Sequence, residues 1–314
     1  MNNWTVVQFI VIAIAAGTPL VFGAVGEILA EKSGVMNLGI EGMMLLGGVV
    51  AYATSVATGS LLLGVIAGAA AGAALSLVHA VLTITLRGNQ VVSGIGIVLL
   101  GTGLAAYLGD IGSVPLTSRP LTSSISPIFK SGPADLPIIG PILLGQDVLV
   151  YASWALVIGA AYYLKRTRSG LSLRAVGEDP ATADSTGISV TAVRYIHVLL
   201  GGALAGVGGA YLTLALFAAW QPGISAGSGW IAFALVIFAG WRPFRALFGA
   251  YAFGALTSIG FNLQLLHIPL PLAVLSALPY VLTLVGLVLI SNTALGRNAT
   301  APRALGVPYA REES

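Results

Sequence analysis

Residues 61–86 read LLLGVIAGAAAGAALSLVHAVLTITL and contain no Asp, Glu, Lys or Arg. An α-helix needs about 20 mostly apolar residues to cross roughly 30 Å of hydrocarbon, so this run reads as a membrane-spanning helix. Runs at 6–26, 91–109, 148–164, 196–219, 246–264 and 270–290 are likewise free of those four residue types. Two further runs are irregular: 35–57 is interrupted by Glu41, and 227–241 is shorter than a usual span. The pattern predicts an all-α integral membrane protein with about nine transmembrane helices. Residues 227–264 have two readings. With Trp241, Arg242, Pro243 and Arg245 forming a tight turn, the segment either spans twice or dips in and returns.

Composition agrees. The 314 residues are 57% hydrophobic and only 8% charged, against about a quarter charged in soluble domains. The 41 glycines suit helices whose backbones approach closely in lipid. With no Cys in the chain, disulfides and thiol nucleophiles are excluded. The net charge of +3 is spread among apolar blocks rather than gathered in a stripe, which argues against nucleic acid as a partner. No Lys or Arg precedes Lys32, so the first run lacks the basic start of a secretory signal and is expected to remain as a span.

Orientation follows the rule that short cytoplasmic loops are enriched in Lys and Arg. Starting outside and alternating, all of the 14 basic residues except Arg119 and Lys130 fall inside. The expectation is N-out and C-in, with an external loop at 110–147, a cytoplasmic segment at 165–194 and a cytoplasmic tail at 296–314.

The cytoplasmic segment reads KRTRSGLSLRAVGEDPATADSTGISVTAVR from Lys165 to Arg194. Gly177 to Pro180 read as a turn into a short helix, with Asp179 capping its first amides and Pro180 at its first position. Ala181, Thr182, Ala183 and Asp184 continue that helix until Gly187 ends it. The plainer reading is a solvated loop whose cations meet lipid headgroups.

Four stretches carry a resemblance: TRSGLSLRAVGEDPATADSTGISV (167–190), SGVMNLGIEGMMLLGG (33–48), LRGNQVVSGIGI (86–97) and PRALGVPYARE (302–312). Together they resemble the permease subunit of bacterial ABC importers of the sugar, nucleoside and branched-chain amino acid group. NLGIEG and the tail residues Pro302, Leu305, Gly306, Pro308 and Tyr309 look most like the nucleoside-importing branch. The resemblance implies two inverted halves around a translocation pathway in the bacterial cell (inner) membrane. It implies a separate ABC ATPase that uses ATP and Mg, an external substrate-binding lipoprotein, and a second permease chain, a related heterodimer preferred to a homodimer. No cofactor is expected on this chain, and no GxxxxGK[ST] phosphate loop occurs in it. The ATPase-coupling residues implied are Arg174, Gly177, Glu178, Asp179, Pro180, Ala181, Ala183 and Asp184.

For the pathway itself, Glu41 stands out because a carboxylate within a membrane segment is costly. It either satisfies free amides of an irregular backbone around Gly34, Gly39 and Gly42 or lines the path, and Asn37 shares its surroundings. Phe217, Trp220, Trp230, Asn262 and Gln264, with Gln221, are read as gathering at the outer helix ends. There they form either an interfacial aromatic belt or an amphipathic mouth that stacks a planar solute. His79 and His197 lie alone, without a second His or a carboxylate at ligand spacing, and read as packed histidines; no metal site is expected. Asn89 and Gln90, beside Arg87 at the inner face, read as caps, with contact with the exit path as the lesser alternative. The reading is therefore an importer permease for a small polar solute, most simply a nucleoside. The alternatives are a sugar or amino acid permease of the same family, or a secondary transporter, which Glu41 as the one mid-membrane ionisable group disfavours.

Overall fold

The computed structural model describes residues 3–111, 115–129, 136–265, 281 and 301–310, with side chains omitted at 3–5 and 259–265. Among the described residues every regular element is helical. The helices are α1 (Asn3–Lys32), α2 (Ile40–Thr58), α3 (Leu61–Ala80), α4 (Gln90–Asp110), α5 (Val148–Arg166), α6 (Arg168–Glu178), α7 (Pro180–Ser185), α8 (Val190–Tyr211), α9 (Ser228–Ala239) and α10 (Pro243–Leu265). Single π turns, Val81–Thr85 and Leu212–Leu216, prolong α3 and α8.

Among the described residues six helices, α1 to α5 and α8, are long and apolar enough to cross a membrane. They coincide with six of the nine spans read from the sequence, while the run at 270–290 lies outside the described residues. Two boundaries need correction. The first span continues to Lys32, so Glu27 and Glu31 lie within a helix and not beyond its end. The 227–241 run holds only the 12-residue α9, about 18 Å long at 1.5 Å per residue and too short to cross alone.

α1, α2 and α8 form the centre: 67% of the apolar window of α1, 72% of that of α2 and 67% of that of α8 are buried, against 28% for α3 and for α4. Helix α8 packs on α1, α2 and α3, and α10 packs on α1. Glycine makes these approaches feasible. A Cβ at Gly206 of α8 would stand 2.2 Å from the carbonyl oxygen of Gly68 on α3, and one at Gly209 only 1.9 Å from that of Met44 on α2. Lipid gives apolar side chains no reason to prefer a helix over a tail, so close van der Waals packing through small residues supplies the cohesion.

The described residues of the linker between α4 and α5 bond back to one end of the bundle. The Tyr52 hydroxyl donates to the Arg119 carbonyl at 2.6 Å, and the Ile125 amide donates to the Leu214 carbonyl at 3.0 Å. Asp147 caps α5, accepting from the amides of Leu149 and Val150 at 2.8 and 3.1 Å. At the opposite end α6 and α7 stand beside the end of α1, the start of α8 and the tail 301–310.

Candidate translocation pathway and coupling segment

Asp179 joins α6 to α7. Its extended backbone (φ −150°, ψ 92°) ends one helix and begins the next. One carboxylate oxygen accepts from the Thr182 amide at 3.0 Å and the other from the Thr182 hydroxyl at 2.6 Å. Those bonds favour the ionised form and hold its pKa below the ordinary carboxylate range. Pro180 occupies the first turn, where a missing N–H costs nothing. Gly187, at φ +86°, follows the last turn.

The expected turn at Gly177–Pro180 is corrected to a single residue, because Gly177 and Glu178 belong to the 11-residue α6. Gly177 is a glycine for contact. A Cβ there would meet the Lys32 carbonyl oxygen at 2.3 Å, while its own carbonyl accepts from the Ala304 amide at 2.9 Å. Of the coupling candidates, Arg174, Glu178 and Asp179 are exposed, and Pro180, Ala181 and Asp184 are partly so. Ala183 is buried with Val176 and Val190, and Tyr309 of the tail packs against them.

Arg194, 1% exposed, ties this end together and was not singled out by sequence reasoning. Its Nε donates to the Ser33 carbonyl at 3.2 Å and one terminal nitrogen to that of Val307 at 3.3 Å. With the Gly306 amide donating to the Gly34 carbonyl at 3.2 Å, the tail is fastened to the α1–α2 connection as well as to α6.

Glu41 lies in the first turn of α2, 7% exposed. Its carboxylate accepts from the Ser225 hydroxyl at 2.5 Å and from the amides of Gly227 and Gly229 at 3.1 and 2.6 Å. The free amides it meets belong to the start of α9 and not to the neighbouring glycines of its own segment. A negative charge at a helix N-terminus meets both unpaired N–H groups and the favourable end of the helix dipole. The far end of α9 is held similarly: the Trp241 indole N–H donates to the Glu31 carboxylate of α1. Residues 217–227 therefore join α8 to α9 without a regular helix, and α9 runs from Glu41 of α2 to Glu31 of α1. Within a membrane such backbone is tolerated where protein or a cavity surrounds it. Residues 227–264 thus hold the 12-residue α9, the turn at Trp241 and all but the last residue of the 23-residue α10.

Asn37 is 1% exposed. Its amide donates to Glu27 at 2.8 Å and its side-chain oxygen accepts from the Gly39 amide at 3.0 Å. Glu27, Glu31 and Glu41 are all buried, which corrects the reading of Glu41 as the one ionisable group inside. The signal was the Glu pair at i and i+4 directly before Lys32, a spacing that puts both on one helix face.

Phe217 is 47% exposed just beyond the π turn, and Trp220 is 2% exposed, packed against Gly109 near the end of α4. Trp230, 41% exposed, sits in the first turn of α9 beside Gly229, whose amide donates to Glu41. Asn262 and Gln264 have side chains outside the described residues. His79 bonds Ser93 and the Met36 carbonyl at 2.9 and 3.0 Å, and His197 bonds Tyr163 and the Val193 carbonyl at 2.8 and 2.7 Å. Asn89 caps α4 by accepting from the amides of Val91 and Val92 at 2.9 and 3.0 Å, whereas Gln90 accepts from the Met36 amide at 2.7 Å and so ties the α1–α2 connection to α4. No metal-sized group of three His, Asp or Glu occurs among the described residues.

The model of the permease component of the branched-chain amino acid transport system matches residues 9–292. The chain belongs to this permease family. Among relatives of this permease, the nucleoside ABC transporter permease protein of Lactococcus lactis is 34% identical with 100% of both chains covered. The guanosine ABC transporter permease protein of Bacillus subtilis is 32% identical over 97% of this permease and 98% of that protein. The putative glucose ABC transporter permease protein of Haloferax volcanii is 38% identical over 82% of this permease and 78% of that protein.

Proposed function

We propose that this permease forms the path by which a nucleoside enters a bacterial cell through the inner membrane, in an importer driven by a separate ATPase. The observation that carries the reading is similarity along the full length to nucleoside and guanosine permeases. In this reading the chain crosses the membrane about nine times, N-out and C-in, in two inverted halves. The Glu41 region of α2 and the broken crossing at α9 stand as counterparts, and such interrupted segments lie beside substrate routes in transporters. An external lipoprotein delivers the nucleoside, and a related second permease chain completes the pathway. Asn37, Glu41, Phe217, Trp220, Trp230, Asn262 and Gln264 are the residues assigned to it. Trp230, exposed beside the Glu41-anchored turn, is the aromatic face on which a base stacks.

The ATPase grips α7 and the exposed face of α6 through Arg174, Gly177, Glu178, Asp179, Pro180, Ala181, Ala183 and Asp184, and uses ATP and Mg in its own site. Closure of the ATPase dimer moves α6 and α7 as a rigid unit. The ties through Gly177, Arg194 and the tail carry that movement to the α1–α2 connection, which leads into Glu41 and α9. The mechanism is rigid-body switching between two accesses.

Uptake of labelled guanosine by cells lacking their own nucleoside importers and expressing the complete operon tests the substrate. Guanosine uptake competed by uridine and not by glucose is expected. Glucose uptake without nucleoside uptake favours the sugar reading that the Haloferax volcanii relative supports.

A further inference from the structure

A cavity of about 440 Å³ opens where the end of α1, α5, α6 and the α9–α10 turn meet. Five cations line it, Lys32, Lys165, Arg174, Arg242 and Arg245, and no carboxylate does. The carboxylate that acts most on Lys32 is Glu178, outside the lining. Arg174 and Arg242 act on Lys32 as like charges. Five positive side chains around one concave space repel each other, and the arrangement is relieved by an anion within it.

The backbone aims this charge at some conformational cost. Trp241 sits at φ +56°, directly after Gly240 at φ +58°, a region that non-glycine residues occupy only when the surroundings enforce it. Its indole N–H donates to Glu31 of α1, and Arg242 and Arg245, which follow it, line the cavity.

Beside the cavity two apolar tracks run along the exposed faces of α10 and α5. On α10 Phe244 and Phe248 are 46% and 71% exposed; on α5 Tyr162 and Ile158 are 63% and 59% exposed. Each pair is spaced i, i+4, hence on one helix face, and α5 packs against α10. A basic pocket between transmembrane helices at a headgroup-level end, continued by an apolar track, has the form of an amphiphile site.

We propose that the cavity binds the phosphate headgroup of an anionic phospholipid, with its acyl chains lying along Phe244 and Phe248 and along Tyr162 and Ile158. A soluble protein docking at this end meets the exposed rim of cations and does not reach the tracks. A nucleoside carries no charge to match the five cations. The proposal depends on the lipid-embedded fold and not on the identity of the transported solute.

Native mass spectrometry of the purified full-length protein, delipidated and titrated with phosphatidylglycerol or phosphatidylcholine of identical acyl chains, tests it. Phosphatidylglycerol adducts are expected to exceed phosphatidylcholine adducts by about tenfold, in keeping with the attraction of clustered cations for anionic lipid. The exposed pair Lys165→Gln with Arg174→Gln is expected to abolish the excess, whereas Arg87→Gln, at a separate loop of the same end, retains it. Should that double variant misfold, Arg242→Gln with Arg245→Gln replaces it. Equal adducts of the two lipids, or an excess that survives both double variants, overturns the proposal. Displacement of the lipid by millimolar inorganic phosphate, with Phe248→Ser binding as the parent does, also overturns it and assigns the site to a free ion.

Discussion

Removing the carboxylate of Glu41 leaves the Ser225 hydroxyl and the amides of Gly227 and Gly229 buried without an acceptor. Each hydrogen bond to a charged group contributes about 1.5–3 kcal/mol, and a buried donor left alone is costly. Glu41→Ala is therefore expected to destabilise the protein by about 3 kcal/mol, and Glu41→Gln, which keeps one acceptor, by less. Thermal unfolding in detergent measures both; an Ala variant that melts with the parent contradicts the capping role. Asp147 gives a pH dependence. Burial raises its pKa against the opposing bonds from Val150, Leu149 and Tyr211. A raised pKa means that its contribution to stability is complete below the unfolded value, ~3.9, and is lost as pH rises through the folded value. Asp147→Asn caps α5 equally well and is expected to melt higher than the parent at neutral pH, with the difference vanishing in acid. At this scale the sequence announced Glu41, a carboxylate inside an apolar run, but not its partners, which lie more than 180 positions away in the chain. Glu27 and Glu31 were hidden because they sit where a span was expected to have ended.

The helices depend on glycine in a way that single substitutions separate. Gly209→Ala puts a methyl 1.9 Å from the Met44 carbonyl oxygen, while Gly96 and Gly103 on α4 have nothing within 4 Å. Overpacking costs about 1–3 kcal/mol, so Gly209→Ala is expected to lower the melting temperature. Gly103→Ala, relieved of glycine's entropy in a helix, is expected to hold or raise it. Equal behaviour contradicts close α2–α8 packing as the source of cohesion. Helix α7 was legible residue by residue, since Asp179, Pro180 and Gly187 are local signals with local physics. Helix α6 was not, because Gly170 and Gly177 imitate turn residues. Their glycines answer tertiary contacts instead: Cβ atoms there would meet the Tyr163 and Lys32 carbonyl oxygens at 2.0 and 2.3 Å. Asp179→Ala removes both bonds to Thr182. It is expected to leave insertion and ATP hydrolysis intact while lowering nucleoside uptake per ATP; unchanged coupling contradicts a lever at α7.

Across the whole molecule, hydrophobic run length located six apolar helices long enough to span, because lipid thickness is a one-dimensional constraint that a sequence displays directly. What run length does not display is which helices form the centre, or that α9 is pinned between α2 and α1. Those facts arise from pairings such as Trp241 with Glu31, 210 positions apart, and no periodicity records them. The aromatic candidates illustrate the difference. Phe217, Trp220 and Trp230 lie within a stretch of 14 residues, yet Trp230 sits beside Gly229, which bonds Glu41 of α2, while Trp220 packs against Gly109 of α4. The account as a whole requires α7 to stand on the interior face, where a motor reaches it. The chain has no cysteine, so Ala181→Cys introduces a single thiol at the partly exposed start of that helix. Labelling it with a membrane-impermeant maleimide is predicted to fail in intact cells and to succeed in inside-out vesicles, with less labelling when the ATPase is bound. Labelling in intact cells contradicts the account.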